Sequence, residues 1–110
     1  MYVIICITLL WIVLDVITGT IKAAKYHEMD STKMREGLFN KIGYILCMAV
    51  GVGVDYTMLY VNIGYDIPIL EGICVMIILT ELISICENIV KINPALAGSK
   101  FFDFIKEKQK

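Results

Sequence analysis

The sequence predicts an all-α integral membrane protein with three transmembrane helices. Hydrophobic residues make up 58% of the 110 residues and charged residues 19%, against about 45–50% and about 25% in soluble domains. Every Lys and Arg lies either between residues 22 and 41 or after residue 90, and none lies between residues 42 and 90. Three apolar stretches of about 20 residues fit this charge pattern, and each could cross a ~30 Å hydrocarbon core as a helix.

The spans and their connections follow in chain order within a single domain. The predicted parts are a span at about residues 2–22, a loop at 23–41, spans at about 42–63 and 67–90, and a tail at 91–110. Because cytoplasmic segments collect Lys and Arg, we expect the loop and the tail to be cytoplasmic and the N-terminus to lie outside. The end of the tail mixes aromatic residues with lysines, which predicts either a short interfacial helix or a frayed polar tail.

Residues that start and stop helices mark the ends of these elements. Asp30 and Ser31 form a candidate N-cap for an amphipathic segment that leads into the second span. The segment 62–64 carries a turn signal. Asn93 followed by Pro94 should end the third helix, because the residue before a proline is pushed out of the α region.

Polar and small residues inside the spans recur at helical spacing, so that each set shares a face. The first span carries Thr8, Asp15, Thr18, Gly19 and Lys22, and the third carries Thr80, Glu81, Ser84, Glu87 and Asn88. The second span carries two ridges, Gly43, Cys47, Gly51 and Asp55, and Ala49, Gly53 and Thr57. Small residues at this spacing let helices approach closely in lipid, so the glycines, Cys47 and Ala49 are predicted to pack against other helices.

The intramembrane carboxylates should face another helix or water, because exposure to lipid is costly. We therefore predict that eight polar or small residues form oligomer contacts or line a pore: Asp15, Thr18, Gly19, Asp55, Glu81, Ser84, Glu87 and Asn88. These polar faces are also compatible with a compact bundle without a pore or with a structural subunit of a larger membrane complex. A proton or ion relay through Glu81 or Asp55 and a small ion channel are further alternatives.

The sequence carries no pattern typical of an enzyme, a metal site or a cofactor site. Cys6, Cys47, Cys74 and Cys86 all lie in apolar stretches without metal-ligand spacing, so they are predicted to be small buried residues. The single histidine, His27, has no metal-binding partner nearby in the sequence. The basic loop and tail would lie against the membrane, where they favour anionic lipid as a partner over nucleic acid.

Four segments resemble the phage holin family that includes the clostridial toxin-secretion holins. LDVITGTIKA at residues 14–23 is similar to that family's D-x-x-S/T-G element, and DSTK at 30–33 with GLFNKIG at 37–43 resembles its loop. TELISICEN at 80–88 closely resembles its E-x-x-S-I-x-E-N signature, and Pro94 lies where members have a proline before a charged tail. The resemblance implies a small protein that oligomerises in the bacterial cytoplasmic membrane and permeabilises it, so that a cell-wall hydrolase or a toxin crosses without direct contact.

Overall fold

The computed structural model describes residues 2–27, 29–62, 64 and 67–98, and the described chain is helical without strands. Its three long helices are α1 (Val3–Lys25), α2 (Ser31–Tyr60) and α3 (Ile69–Ile92), and a short 3₁₀ helix, Pro94–Gly98, follows them. Each long helix is long and apolar enough to cross a membrane. The predicted all-α class with three membrane-spanning helices is confirmed, whereas the interfacial helix or tail predicted near the C-terminus lies outside the described residues.

Helix α2 begins much earlier than the predicted second span. The Asp30 carboxylate accepts a hydrogen bond from the Thr32 N–H at 2.9 Å and caps the helix, as expected for an N-cap aspartate. From Ser31 the helix continues without a break to Tyr60. Residues 33–36 (KMRE) are good helix formers, so nothing in this segment ends the helix between the cap and the apolar stretch. Most of the segment predicted as a loop at 23–41 is therefore part of α2.

The turn signal at 62–64 follows the end of α2, and the signal at Asn93 and Pro94 follows the end of α3. The Asn62 side-chain oxygen accepts a hydrogen bond from the Gly64 N–H at 2.9 Å, and Gly64 has a φ of 92°, a conformation that glycine adopts without strain. Helix α3 ends at Ile92, directly before Asn93 and Pro94. The proline ring prevents the helix from continuing in the same direction.

Helix α3 packs against both α1 and α2, and α1 and α3 end on the same side of the bundle. The Lys25 ammonium donates to the carbonyl oxygens of Lys91 at 3.2 Å and Ile92 at 2.6 Å, and the Tyr26 hydroxyl donates to the Lys91 carbonyl at 2.7 Å. These donors satisfy carbonyl groups that the last turn of α3 leaves without a helical partner. Helix α2 runs the opposite way, because the Tyr2 ring before α1 lies 6.4 Å from that of Tyr56 near the end of α2.

The inward face of each helix follows alternating spacings of three and four residues. The buried or half-buried residues on these faces are Thr8, Ile12, Asp15 and Gly19 on α1, Lys41, Tyr44, Met48 and Gly51 on α2, and Leu70, Cys74, Ile77 and Glu81 on α3. This spacing keeps one seam facing the neighbouring helices when helices cross at shallow angles. The end of the bundle where α1 begins is thus mainly apolar, whereas charged groups enter the core halfway along it.

Burial in this protein is the reverse of that in a water-soluble bundle. The most completely buried side chains include Glu81, at 1% exposure, and Thr8, at 0%. Large apolar side chains point outward instead, among them Leu46 at 61%, Leu59 at 70% and Met76 at 71% exposure. Because lipid solvates apolar groups and not carboxylates, this distribution is the one expected of a bundle surrounded by a membrane.

Among the small residues of α2, the close approach to α3 is confined to Gly51. A Cβ atom placed on Gly51 would lie 3.1 Å from the Leu70 Cα atom, whereas Cβ atoms on Gly43 and Gly53 would meet nothing within 4 Å. Cys47 and Ala49 are exposed. These four residues lie beside the inward seam and not on it, so their packing between protomers stays a prediction.

Candidate functional site

Lys41 joins the three helices by binding a carboxylate from each of its two neighbours. Its ammonium group donates to Glu81 Oε1 at 2.9 Å and Oε2 at 2.8 Å on α3. It also forms an ion pair and hydrogen bond with Asp15 Oδ2 on α1. We call Asp15, Lys41 and Glu81 the charge cluster. One cation is thus shared by two acids in the middle of an otherwise apolar bundle.

Amide and hydroxyl groups extend the charge cluster toward the C-terminal ends of α1 and α3. The Asn88 side-chain amide donates to Asp15 Oδ1 at 3.3 Å and to the Thr18 hydroxyl at 3.1 Å. Thr18 in turn donates to the Leu14 carbonyl at 2.9 Å. A Cβ atom on Gly19 would lie 3.7 Å from the Asn88 amide nitrogen, so the glycine leaves room for this amide against α1.

The charge cluster is shielded from the surroundings but completely hydrogen-bonded. The Glu81 side chain is 1% exposed, that of Asp15 11% and that of Lys41 16%. In the described part of the chain, every buried side-chain nitrogen or oxygen atom has a hydrogen-bond partner. Charged groups at membrane depth occur where they pair with one another, and Lys41 provides this pairing for both acids. Removing the Lys41 cation would leave both buried carboxylates uncompensated, which is costly.

A cleft of about 510 Å³ gives access to the charge cluster. Helices α1 and α2 form its walls and α3 its floor; Asp15, Lys41, Glu81, Ser84 and Asn88 all line it. The cleft extends along α2 to Lys33 and along α1 to Lys22, so it reaches the end of the bundle where α1 ends. The polar groups that hold the helices together therefore lie at the edge of an open space and not in a closed core.

Most of the residues predicted for oligomer contacts or a pore come together within one protomer. Asp15, Thr18, Gly19, Glu81, Ser84 and Asn88 surround or line the cleft. Asp55 does not join them, because it lies about 21 Å along α2 from Lys41 at ~1.5 Å rise per residue. Glu87 is exposed on α3 beside Asn88 and does not line the cleft. The contacts of all eight residues with other protomers stay predictions.

Lys41 is not among the site residues predicted from the sequence, because its position at the edge of an apolar stretch predicts the last residue of a cytoplasmic loop. In the structure it lies inside α2, with its ammonium 5.6 Å from the centroid of the Tyr44 ring. The spacing of Lys41, Tyr44, Met48 and Gly51 carries the signal that would have revealed it. Alternating steps of three and four residues place all four side chains on one face.

The cysteines differ in burial, contrary to the expectation that all four are buried. Cys74 and Cys86 are buried on α3, whereas Cys6 and Cys47 are exposed, and all four are free thiols. Cys6 and Cys47 are exposed on apolar helices, where apolar surroundings suit a small weakly polar side chain equally well. Across the described residues, no group of His, Cys, Asp and Glu side chains could hold a metal ion.

Comparison with known proteins identifies a family. The model of the bacteriophage holin family matches residues 1–107 of the chain. Searches of curated proteins and of solved structures returned no match. The match covers all three helices and the complete charge cluster.

Proposed function

The chain belongs to the bacteriophage holin family, and from this membership we propose that it permeabilises the bacterial cytoplasmic membrane so that a cell-wall hydrolase or a toxin can cross. The chain is a multi-pass membrane protein. The family is not a family of enzymes. The N-terminus lies outside and the C-terminus inside in this proposal, because the basic residues before and within the first part of α2 should stay in the cytoplasm.

The observation that carries the proposal is the burial of the charge cluster beside an open cleft. Within one protomer, Lys41 pairs with both carboxylates and keeps these polar groups inside the bundle, away from lipid. A protomer closed in this way can accumulate in the membrane without leaking ions. The same groups become the lining of a wet opening once they face water, because carboxylates, amides and an ammonium are all well hydrated.

Permeabilisation then requires α2 to move away from the pair formed by α1 and α3. Helices α1 and α3 are tied together by the Asn88 amide and by the caps that Lys25 and Tyr26 place on the end of α3. Helix α2 is tied to them through Lys41 and through the close approach of Gly51 to Leu70. When the protein reaches a high density in the membrane, the polar helix faces of neighbouring protomers compete for these contacts. This competition shifts the population toward an open oligomer.

Inducible expression in a bacterium is expected to leave the membrane potential intact at first and then to collapse it abruptly, with arrest of growth. A potential-sensitive dye followed together with the membrane level of the protein measures this. An unrelated protein with three spans, expressed to the same level, controls for crowding of the membrane. Cells that carry high membrane levels of the protein and keep their potential would refute the proposed function.

A further inference from the structure

The polar cleft continues into an apolar groove on the same side of the bundle. The groove has a volume of about 350 Å³ and lies between α2 and α3. Tyr44 and Thr80 line both the cleft and the groove, so that the two spaces adjoin. Beyond these two residues, the groove is lined by Cys47, Val50, Ile73, Met76 and Ile77. A polar cleft that adjoins an apolar groove matches the polar headgroup and the apolar chain of an amphiphile.

We propose that the cleft and the groove together bind one anionic phospholipid, with its phosphate at Lys22 and Lys33 and an acyl chain along the groove. Lys22 on α1 and Lys33 on α2 line the same cleft from opposite walls. Among the described residues, neither lysine forms an ion pair. Two acids lie three residues from Lys33 in the sequence. Asp30, which lines the cleft, accepts a hydrogen bond from the Thr32 N–H, and Glu36 does not line the cleft. Lysine ammonium groups bind phosphate as point charges.

The length of α2 places the two ends of the site at the depths that a phospholipid requires. The helix has 30 residues, about 45 Å at ~1.5 Å per residue, and therefore extends about 15 Å beyond a ~30 Å hydrocarbon core. With Tyr60 at the far interface, Lys33 lies at the level of the headgroups. From Lys33 to Val50 the helix rises about 25 Å, close to half of the ~40–45 Å thickness of a bilayer, which one lipid occupies.

The residues beside the mouth of the cleft support a position in the membrane interface. Met29, Leu38 and Phe39 are 55%, 55% and 63% exposed. Apolar side chains next to lysines are typical of segments that lie at the boundary between headgroups and acyl chains. The inference needs only that the chain is embedded in a membrane, so it stands or falls independently of the proposed permeabilisation.

Lipid retention in detergent tests the site directly. The protein is purified with its native oligomeric state recorded, incubated with phosphatidylglycerol or phosphatidylcholine, and examined by native mass spectrometry. We expect one phosphatidylglycerol per protomer to be retained in preference to phosphatidylcholine. Lys22→Gln and Lys33→Gln should each weaken retention about fivefold, which corresponds to ~1 kcal/mol for a basic residue near an anionic surface. Lys33→Arg should retain the lipid.

Two matched pairs of variants test the site. One distinguishes it from nonspecific attraction of anionic lipid to basic residues, and the other distinguishes the lipid from a second copy of the chain in the groove. Arg35→Gln removes a neighbouring exposed cation that does not line the cleft and should leave retention unchanged. Met76→Trp fills the groove and should release the lipid, whereas Leu79→Trp, exposed outside the groove, should not. Equal losses for Arg35→Gln and Lys33→Gln, or equal retention of the two lipids, would overturn the proposal. It is also overturned if Met76→Trp changes the oligomeric mass but not lipid retention, because a second copy would then occupy the groove.

Discussion

Lys41→Met is expected to destabilise the closed bundle more than any other single substitution. It leaves two buried carboxylates, Asp15 and Glu81, without the cation that both share. Breaking a buried ion pair by removing one partner costs about 3–5 kcal/mol. The substitution should therefore lower the unfolding temperature in detergent strongly and reduce the amount of folded protein in the membrane. Thermal unfolding followed by circular dichroism measures the first effect, and quantitative membrane fractionation the second.

A matched variant and a rescue variant make this result specific to the charge cluster. Arg35→Met removes an exposed cation from the same helix and should change the unfolding temperature little. Adding Asp15→Asn and Glu81→Gln to Lys41→Met removes the uncompensated charges and should recover most of the lost stability. If Lys41→Met unfolds at the temperature of the unmodified protein, the charge cluster does not hold the helices together.

Glu81→Leu is expected to preserve insertion and to advance the onset of permeabilisation. The change removes both hydrogen bonds from Lys41 to α3, while the ion pair between Lys41 and Asp15 remains on α1. The closed state thus loses part of the attachment of α2 but contains no uncompensated charge. Induction followed by optical density and by a potential-sensitive dye gives the time of onset at matched membrane levels.

Glu71→Leu is the matched control for this experiment, because it makes the same change at an exposed position in the first turn of α3. It should leave the time of onset unchanged. An unaltered onset for Glu81→Leu at normal membrane levels would show that Glu81 does not control opening.

The fold could be predicted from the sequence because a membrane-spanning helix requires an apolar stretch long enough to cross the hydrocarbon core. Apolar stretches of sufficient length predict the three helices. The basic segment that was predicted as a loop belongs mostly to α2. The grouping of Asp15 and Thr18 on α1, and of Glu81 and Asn88 on α3, followed from helical spacing alone. The structure shows that these two faces meet each other.

The central role of Lys41 could not be obtained in the same way. A lysine at the edge of an apolar stretch counts as a loop residue in any hydropathy argument, and only the early start of α2 brings it into the bundle. Four-residue spacing also grouped Gly43 and Cys47 with Gly51, although the seam of α2 alternates between steps of three and four. The eight site residues predicted from the sequence include Asp15 and Glu81 but no lysine or arginine. This lack of a cation was the remaining sign that a basic partner was missing.

The most direct test of the account is a disulfide that prevents α2 from leaving α3. A Cβ atom on Gly51 would lie 3.3 Å from the Leu70 Cβ atom, within a few tenths of an ångström of the ~3.5–4.5 Å found across disulfides. Gly51→Cys with Leu70→Cys is made in a chain whose four native cysteines are replaced by alanine, and the protein is reconstituted in dye-loaded vesicles.

The oxidised protein should retain the dye, and a reductant should restore release to the level of each single-cysteine control. Gel mobility confirms that the disulfide has formed. Full release of the dye while the disulfide is intact would contradict the claim that permeabilisation requires α2 to separate from α1 and α3.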